Sequence, residues 1–317
     1  MRPTIVSEDR NHIPSTPLWR NLDYMLLWSG QIVSNTGTQV SQLAFPLLIL
    51  AVTHSPAQAG FAGALRALPY LLFSLPAGAL IDRWDRKRTM ILCDAGRALS
   101  LGSIPVALAF GQLTVLQLYI VSAIEGTLFV FFNIAEVACL PRVVPKEQLP
   151  AANAQYQATD SITALVGPSL GGTLYTASQF LPFLADAISY IISVLSLFFI
   201  KAKFQKERAV TQRSLRAEIR EGLSWLWHHP LIRFIAILTG GYNLIFSGFT
   251  LIVIVLAQHQ HASSFTIGLI FAIGSIGGII GALVATSIQR RFSFAQVIIG
   301  STWLTTIIVP LFVIAPN

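Results

Sequence analysis

The chain has 317 residues, of which 54% are hydrophobic and only 11% are charged, and its formal net charge is +7. Soluble globular domains carry about 25% charged residues, so this composition excludes an ordinary soluble protein. A net positive charge alone would suit nucleic-acid binding, but in a membrane protein the placement of the charges matters more than their sum. Apolar runs of about 20 residues recur along the chain, and a helix needs that length to cross a bilayer. We therefore predict an all-α polytopic membrane protein that binds no nucleic acid.

The first 22 residues, MRPTIVSEDRNHIPSTPLWRNL, are polar and lack an apolar core, so we expect no cleavable signal peptide. The apolar runs that follow predict nine membrane spans. Their limits are about 24–52, 57–81, 89–110, 114–140, 151–177, 180–200, 231–257, 263–288 and 294–315. We predict four regions, namely a tail (1–23), a six-span half (24–200), a linker (201–230) and a partial three-span half (231–317).

The Lys and Arg residues lie at alternate connections between these spans. All but two of the 21 lie in the N-terminal tail or in and beside the connections after the second, fourth, sixth and eighth spans. Basic connections remain in the cytoplasm, so we expect a plasma-membrane protein with a cytoplasmic N-terminus. In the linker, SLRAEIREGLSWLWHHP (214–230) has apolar residues at helical spacing. It predicts either a helix on the inner membrane surface or a solvated linker helix.

Four motifs carry a resemblance to a known family. GALIDRWDRKR (78–88) is similar to the conserved loop of the major facilitator superfamily, and it lies between the second and third spans as that loop does. LPRVVPKEQLPAANA (140–154) and EIREGLSWLWHHPL (218–231) resemble the drug, macrolide and siderophore (enterobactin-type) exporters of that superfamily. GPSLGG (167–172) resembles its antiporter motif. The resemblance covers about 20–315 and implies a secondary transporter that exports a small amphipathic solute by alternating access, coupled to protons.

The charged loop after the second span predicts a gate. Asp82 and Arg86 are four residues apart, so they share one face if the helix continues. In the family an acid at the end of the fourth span joins them, and Glu136 stands at that position. We expect a cytoplasmic gate of Gly78, Asp82, Arg83, Arg86 and Glu136. The alternative is that the basic residues only set the topology, above all Arg83, Lys87 and Arg88.

Small residues and a proline mark the fifth span. Gly167, Gly171 and Gly172 allow close helix approach, while Pro168 removes a backbone donor and bends its helix. We expect this antiporter-like motif to act as a hinge or as a tight seal between the two halves. Ordinary small-residue packing is the alternative.

Ionisable groups inside the spans are candidates for proton coupling or substrate binding, because each costs about 2.5–3.5 kcal/mol at mid-membrane on insertion scales. They include Glu125, Arg66, Asp160, Asp94 and Arg97. Asp94 and Arg97 are three residues apart, which predicts a structural ion pair. Glu125 has no evident local partner, so it is the preferred proton carrier, with Arg66 or Asp160 as its counterpart. The alternative is a neutral, hydrogen-bonded core residue. Many exporters of the superfamily have an arginine where this chain has Ser122.

Amide and aromatic side chains within the spans predict an amphipathic pocket. The candidates are Asn35, Gln39, Phe129, Asn133 and Asn243. Hydrogen bonding between helices explains the amides equally well. No nucleophile–base set, metal-ligand spacing or phosphate loop is present in the sequence, so we predict neither an enzyme nor a metal or cofactor. Cys93 and Cys139 lie in apolar runs and are expected to be packing residues.

The expected partners are the lipid bilayer, a small-molecule substrate and protons, and we expect a monomer. The resemblance implies twelve spans, whereas this chain stops at Asn317 after the ninth predicted span. We therefore expect a C-terminally truncated sequence. A competing interpretation is an inactive, non-transporting membrane protein that serves as a receptor or assembly partner.

Overall fold

The computed structural model describes residues 17–202, 204 and 215–293, together with six positions between 296 and 304. This part of the chain is helical and contains no strand. Its α-helices are α1 (Leu22–Thr53), α2 (Pro56–Ile81), α3 (Arg86–Ala109), α4 (Val115–Val143), α5 (Leu149–Ala177), α6 (Leu181–Phe199), α7 (Leu215–His228), α8 (Pro230–His259) and α9 (Ser264–Arg291). Leu18–Arg20 and Lys146–Gln148 form short 3-10 helices. The predicted all-α fold is confirmed.

Local sequence signals set where these helices begin. Asx and hydroxyl side chains accept hydrogen bonds from backbone N–H groups that the first turn leaves unpaired. Such N-caps are provided by Asn21 for α1, Asp85 for α3, Thr114 for α4 and Ser263 for α9. Proline occupies the first turn of α2, α5, α6 and α8, where its missing N–H is not needed.

Six helices, α1, α2, α3, α4, α6 and α8, are long and apolar enough to cross a membrane, judged by length and composition alone. The helix α5 is 29 residues long but more polar, and it packs between α1 and α9. In α9 the stretch that is apolar by the same measure is Ser264–Gly278, which is shorter than any of these six helices. The ninth predicted span lies almost entirely outside the described residues, as does most of the N-terminal tail.

The helices α1 to α6 form one bundle. In it, α1 packs on α5 and α6, α3 packs on α4 and α6, and α2 packs on α4. The α8–α9 pair joins this bundle mainly through the contact of α9 with α5, which we call the seam. The preceding helix α7 packs on α2 and α8.

The two ends of the molecule have different apolar cores. We call the end that carries Arg83, Arg86, Lys87 and Arg88 the basic end. At the opposite end, one buried cluster includes residues of the bundle together with Ile254 of α8 and Ile267 of α9. The buried cluster at the basic end contains, among the described residues, only side chains that precede α7. Among the described side chains, the α8–α9 pair therefore contributes to the core at the opposite end but not to the core at the basic end.

Candidate functional site

Four buried ionisable residues meet inside the bundle and form what we call the charge centre. Asp94 and Arg97 lie on α3, Glu125 lies on α4 and Asp186 lies on α6, and none is more than 2% exposed. Nη1 of Arg97 lies 3.7 Å from Oδ1 of Asp94, which confirms the predicted pair. Nε of Arg97 lies 3.3 Å from Oε2 of Glu125. The expectation that Glu125 has no nearby partner was therefore wrong.

Glu125 has this partner because α3 and α4 pack against each other in antiparallel directions. This packing brings Arg97 beside an acid 28 residues further along the chain, a contact that short-range spacing does not reveal. Of the counterparts that we expected for Glu125, Arg66 forms no ion pair with it in the described part of the chain, and Asp160 instead accepts a hydrogen bond from Asn35. Arg66 instead places its backbone carbonyl so close to Gly126 that no Cβ would fit there.

The guanidinium of Arg97 is fixed by aromatic rings and hydroxyl groups. It lies 4.1 Å from the ring centroid of Tyr190 and 5.6 Å from that of Phe129. The hydroxyl groups of Thr38 and Tyr190 are hydrogen-bonded at 2.9 Å. Ser100 donates to Oε1 of Glu125 at 3.3 Å. Cation–π contacts of a desolvated guanidinium are worth about 2 kcal/mol, so Arg97 is held in one orientation.

Asp186 is the member of the centre that sequence reasoning did not select. The hydroxyl of Ser41 on α1 donates to its Oδ2 at 2.5 Å, and Ser189 packs beside it. Its signal in the sequence was the same as that of Glu125, a carboxyl within a predicted span.

The charge centre contains three carboxyl groups and one guanidinium. A fully ionised centre would hold excess negative charge, and uncompensated buried charge is strongly unfavourable. Neither carboxylate oxygen of Asp94 accepts a hydrogen bond in the described part of the chain. Protonation of two of the three carboxyl groups would balance the single guanidinium, so the arrangement is chemically suited to take up and release protons.

Nearer the basic end, polar side chains of α1, α4 and α5 face one another. Nδ2 of Asn35 donates to Oδ1 of Asp160 at 3.3 Å, and Asp160 is exposed. Phe129 is 38% exposed, and Asn133 one turn further along α4 is half-buried. Asn35 and Asp160 thus face each other between α1 and α5, and Phe129 lies over the guanidinium of Arg97.

The two other pocket candidates have different surroundings. Gln39 is half-buried, and its Cβ packs directly on Gly167. Asn243 is exposed on α8, where its amide donates to the carbonyl of Thr239 at 2.9 Å in its own helix.

Two of the residues predicted to form a gate, Asp82 and Arg86, are in contact. Nη2 of Arg86 lies 3.1 Å from Oδ1 of Asp82, and its Nη1 donates to the carbonyl of Ala138 on α4 at 2.8 Å. Glu136 does not join them, since it forms no ion pair within 4.0 Å among the described residues. Positions 136 and 138 are about 200° apart around an α-helix, so they point in opposite directions. Glu136 faces Tyr156 of α5, and its Oε1 is buried without a hydrogen bond in the described part.

Two further gate candidates lie at the surface of the basic end. Arg83 is exposed. At Gly78 no described heavy atom lies within 4 Å of the place that a Cβ would occupy. Gly78 therefore makes no close contact with another helix in the described part of the chain.

The glycines of the fifth span lie where backbones touch. A Cβ at Gly167 would overlap Gln39, and one at Gly171 would lie 2.6 Å from the carbonyl oxygen of Val40. Gly172 meets the carbonyl of Ser264 on α9, and Gly268 of α9 meets the carbonyl of Pro168. The motif therefore packs α5 on α1 with one side and on α9 with the other, and close packing of the predicted kind is present at the seam.

Comparison with known proteins decides the family. The model of the Major Facilitator Superfamily matches residues 27–317. The chain belongs to this superfamily. This membership confirms the family resemblance that the sequence motifs indicated. It identifies the chain as a multi-pass membrane protein of a transporter family rather than an enzyme.

Several relatives within the superfamily are efflux proteins. The chain is 26% identical over 279 residues to the multidrug efflux pump Tap of Mycolicibacterium fortuitum, covering 85% of this chain and 68% of the pump. It is 27% identical over 210 residues to macrolide efflux protein A of Streptococcus pyogenes, covering 66% of this chain and 52% of that protein. It is 30% identical over 222 residues to the uncharacterized MFS-type transporter YfiS of Bacillus subtilis, with 68% and 52% covered. The matched regions thus span about half to two thirds of these relatives.

Proposed function

We propose that this chain acts as a secondary active exporter of the plasma membrane, which moves a small amphipathic solute outward in exchange for protons. The observation that carries the proposal is the charge centre, because buried carboxyl groups in excess of their guanidinium partner suit proton exchange within a transporter fold. The relatives named for multidrug and macrolide efflux support the direction of transport.

Alternating access is supported by the unequal ends of the molecule. Among the described side chains, the α8–α9 pair contributes Ile254 and Ile267 to the core of the opposite end and none to the core of the basic end. With the basic end cytoplasmic, as the distribution of Lys and Arg favours, this asymmetry fits an alternating-access cycle in which the contacts of α8 and α9 move from one end to the other. The proposed transporter is a monomer with an N-terminal six-helix half, a linker containing α7, and a second half that begins with α8.

The charges within the helices favour one kind of solute. Within the first six predicted spans, five acidic residues, Asp94, Glu125, Glu136, Asp160 and Asp186, are accompanied by two arginines, Arg66 and Arg97. Electrostatic complementarity therefore favours a neutral or cationic amphipathic solute such as a basic macrolide over an anionic siderophore.

Transport measurements on the purified protein in proteoliposomes test this function. An imposed proton gradient should drive uptake of a macrolide into inverted vesicles, and a protonophore should abolish it. Glu125→Gln should reduce macrolide-driven proton movement roughly tenfold or more, whereas Glu147→Gln, the same change at an exposed position, should not. Undiminished proton movement in Glu125→Gln would exclude Glu125 as the proton carrier. Absence of any gradient-driven transport would support the non-transporting alternative.

A further inference from the structure

The last turn of α6 is held by residues far away in the chain. Nζ of Lys87 donates to the backbone carbonyls of Phe198 at 3.2 Å and of Ile200 at 2.6 Å. The final carbonyls of a helix have no partner within it and carry the negative end of its dipole, so an ammonium group stabilises them well. Lys87 therefore caps the end of α6 as well as adding positive charge to the loop.

A second contact holds the residue that follows. The backbone N–H of Lys201 donates to Oδ1 of Asp23, in the first turn of α1, at 2.8 Å. Ile200 and Phe204 are 2% and 3% exposed and belong to the buried cluster of the basic end. The junction between α6 and the linker is thus fixed from α1 and α3 at once.

This junction lies at a mechanically important point. Beyond it the chain leaves the six-helix bundle and leads to α7 and the α8–α9 pair. Lys87 also directly follows Arg86, which bonds Asp82 and the carbonyl of Ala138. Two adjacent side chains in the first turn of α3 therefore hold α2 and α4 on one side and the start of the linker on the other.

We propose that Lys87 is a positioning residue that couples the first turn of α3 to the start of the linker, and so to the movement of the second half. The inference rests on the proposed function, because the movement concerned is that of a transporter. Its basis is a pair of charge-assisted hydrogen bonds, which are shorter and about twice as strong as neutral ones. We call Lys87 and Asp23 together the clamp, because both hold the junction between α6 and the linker. Neither residue was selected from the sequence for holding this junction.

The neighbouring Arg88 provides a matched control. Its side chain is 84% exposed and its nearest acidic partner is Asp85, at 4.0 Å in the same turn. Arg88→Met removes the same charge from the same loop as Lys87→Met, so any effect on membrane topology is shared. Only Lys87→Met releases the carbonyls of α6.

The test is a distance measurement that does not depend on transport. Spin labels at positions 92 and 231, both of them exposed leucines near the basic end, report the separation of the bundle from α8. Cys93 and Cys139 are replaced by alanine so that only these sites are labelled. We expect Lys87→Met to widen the distance distribution about twofold, and Arg88→Met to leave it unchanged.

Transport and a second variant complete the test. Transport of a macrolide should fall about tenfold in Lys87→Met, because losing one hydrogen bond to a charged group commonly shifts an equilibrium by about that factor. Lys87→Arg should restore most of the transport. Asp23→Ala removes the other arm of the clamp and should widen the same distribution, which keeps the proposal testable if Lys87→Met does not fold. Distributions in Lys87→Met and Asp23→Ala that match that of Arg88→Met would overturn the proposal. If the unmodified protein transports nothing, the proposed function fails while the distance comparison still decides the role of Lys87.

Discussion

The two ends of this molecule are held together by different physical interactions. At the seam, glycines remove the Cβ atoms that would keep α5 and α9 apart, and the contact is made by backbone against backbone at Gly172–Ser264 and Pro168–Gly268. At the basic end, charged side chains hold helices of the bundle to one another through Asp82–Arg86 and through the bonds of Lys87. The seam joins the bundle to the α8–α9 pair, whereas the basic end stabilises the bundle itself.

This difference indicates how each end should respond to amino-acid substitutions. Close packing tolerates no added volume, because interiors are packed as densely as organic crystals. Exposed ion pairs are adaptable and weak, and salt screens them. We therefore expect the seam to fail sterically and the basic end to fail electrostatically, with the charge centre between them more sensitive than either.

The largest effect is expected at the charge centre. Arg97→Met leaves three buried carboxyl groups without their guanidinium, and breaking a buried ion pair on one side costs about 3–5 kcal/mol. The variant should unfold at a markedly lower temperature than the parent, measured by thermal unfolding in detergent. Adding Glu125→Gln to Arg97→Met should recover part of the loss, because it removes one of the unpaired charges. Unchanged thermal stability of Arg97→Met would contradict the described geometry.

The seam should show the next largest effect. Gly268→Ala adds a methyl group against the carbonyl of Pro168, and overpacking costs about 1–3 kcal/mol. Export of a macrolide should fall about tenfold. Gly274→Ala on the same helix has no described atom within 4 Å of the new Cβ, so it should be neutral or slightly stabilising. Equal effects of the two substitutions would show that the seam has no special packing.

The smallest of these effects is expected at the basic end. Asp82→Asn weakens the pair with Arg86, in which Asp82 is 58% exposed, so the change in stability should be at most about 1 kcal/mol. Transport should nevertheless fall several-fold at normal membrane levels if this pair is part of a gate. Asp85→Asn is the control, because asparagine caps a helix as well as aspartate does. Equal transport rates in Asp82→Asn, Asp85→Asn and the parent would exclude Asp82 from the gate.

The sequence predicted the helices far better than it predicted their contacts. Eight predicted spans and the linker helix match described helices, with limits that differ by at most three residues for the spans, because long apolar runs are separated by capping residues and short connections. The pair Asp94–Arg97 was predictable because both residues lie on one turn.

Contacts between helices could not be predicted in the same way. The partner of Glu125 is 28 residues away, and the carbonyls that Lys87 caps are more than 100 residues away. Glu136 was placed in the gate from the family pattern, but its direction depends on how α4 is rotated in the packed bundle. Such contacts follow from helix rotation and pairing, which short-range spacing does not determine.

One measurement tests the central claim most directly. Spin-label distances between the bundle and α8 can be recorded in the same preparation at the basic end, with labels at 92 and 231, and at the opposite end, with labels at 116 and 256. If protons drive alternating access, a change of pH or of macrolide concentration should change the two distances in opposite directions. The distance at the basic end should shorten as the distance at the opposite end lengthens. Distances that stay constant at both ends, or that lengthen together, would contradict the account.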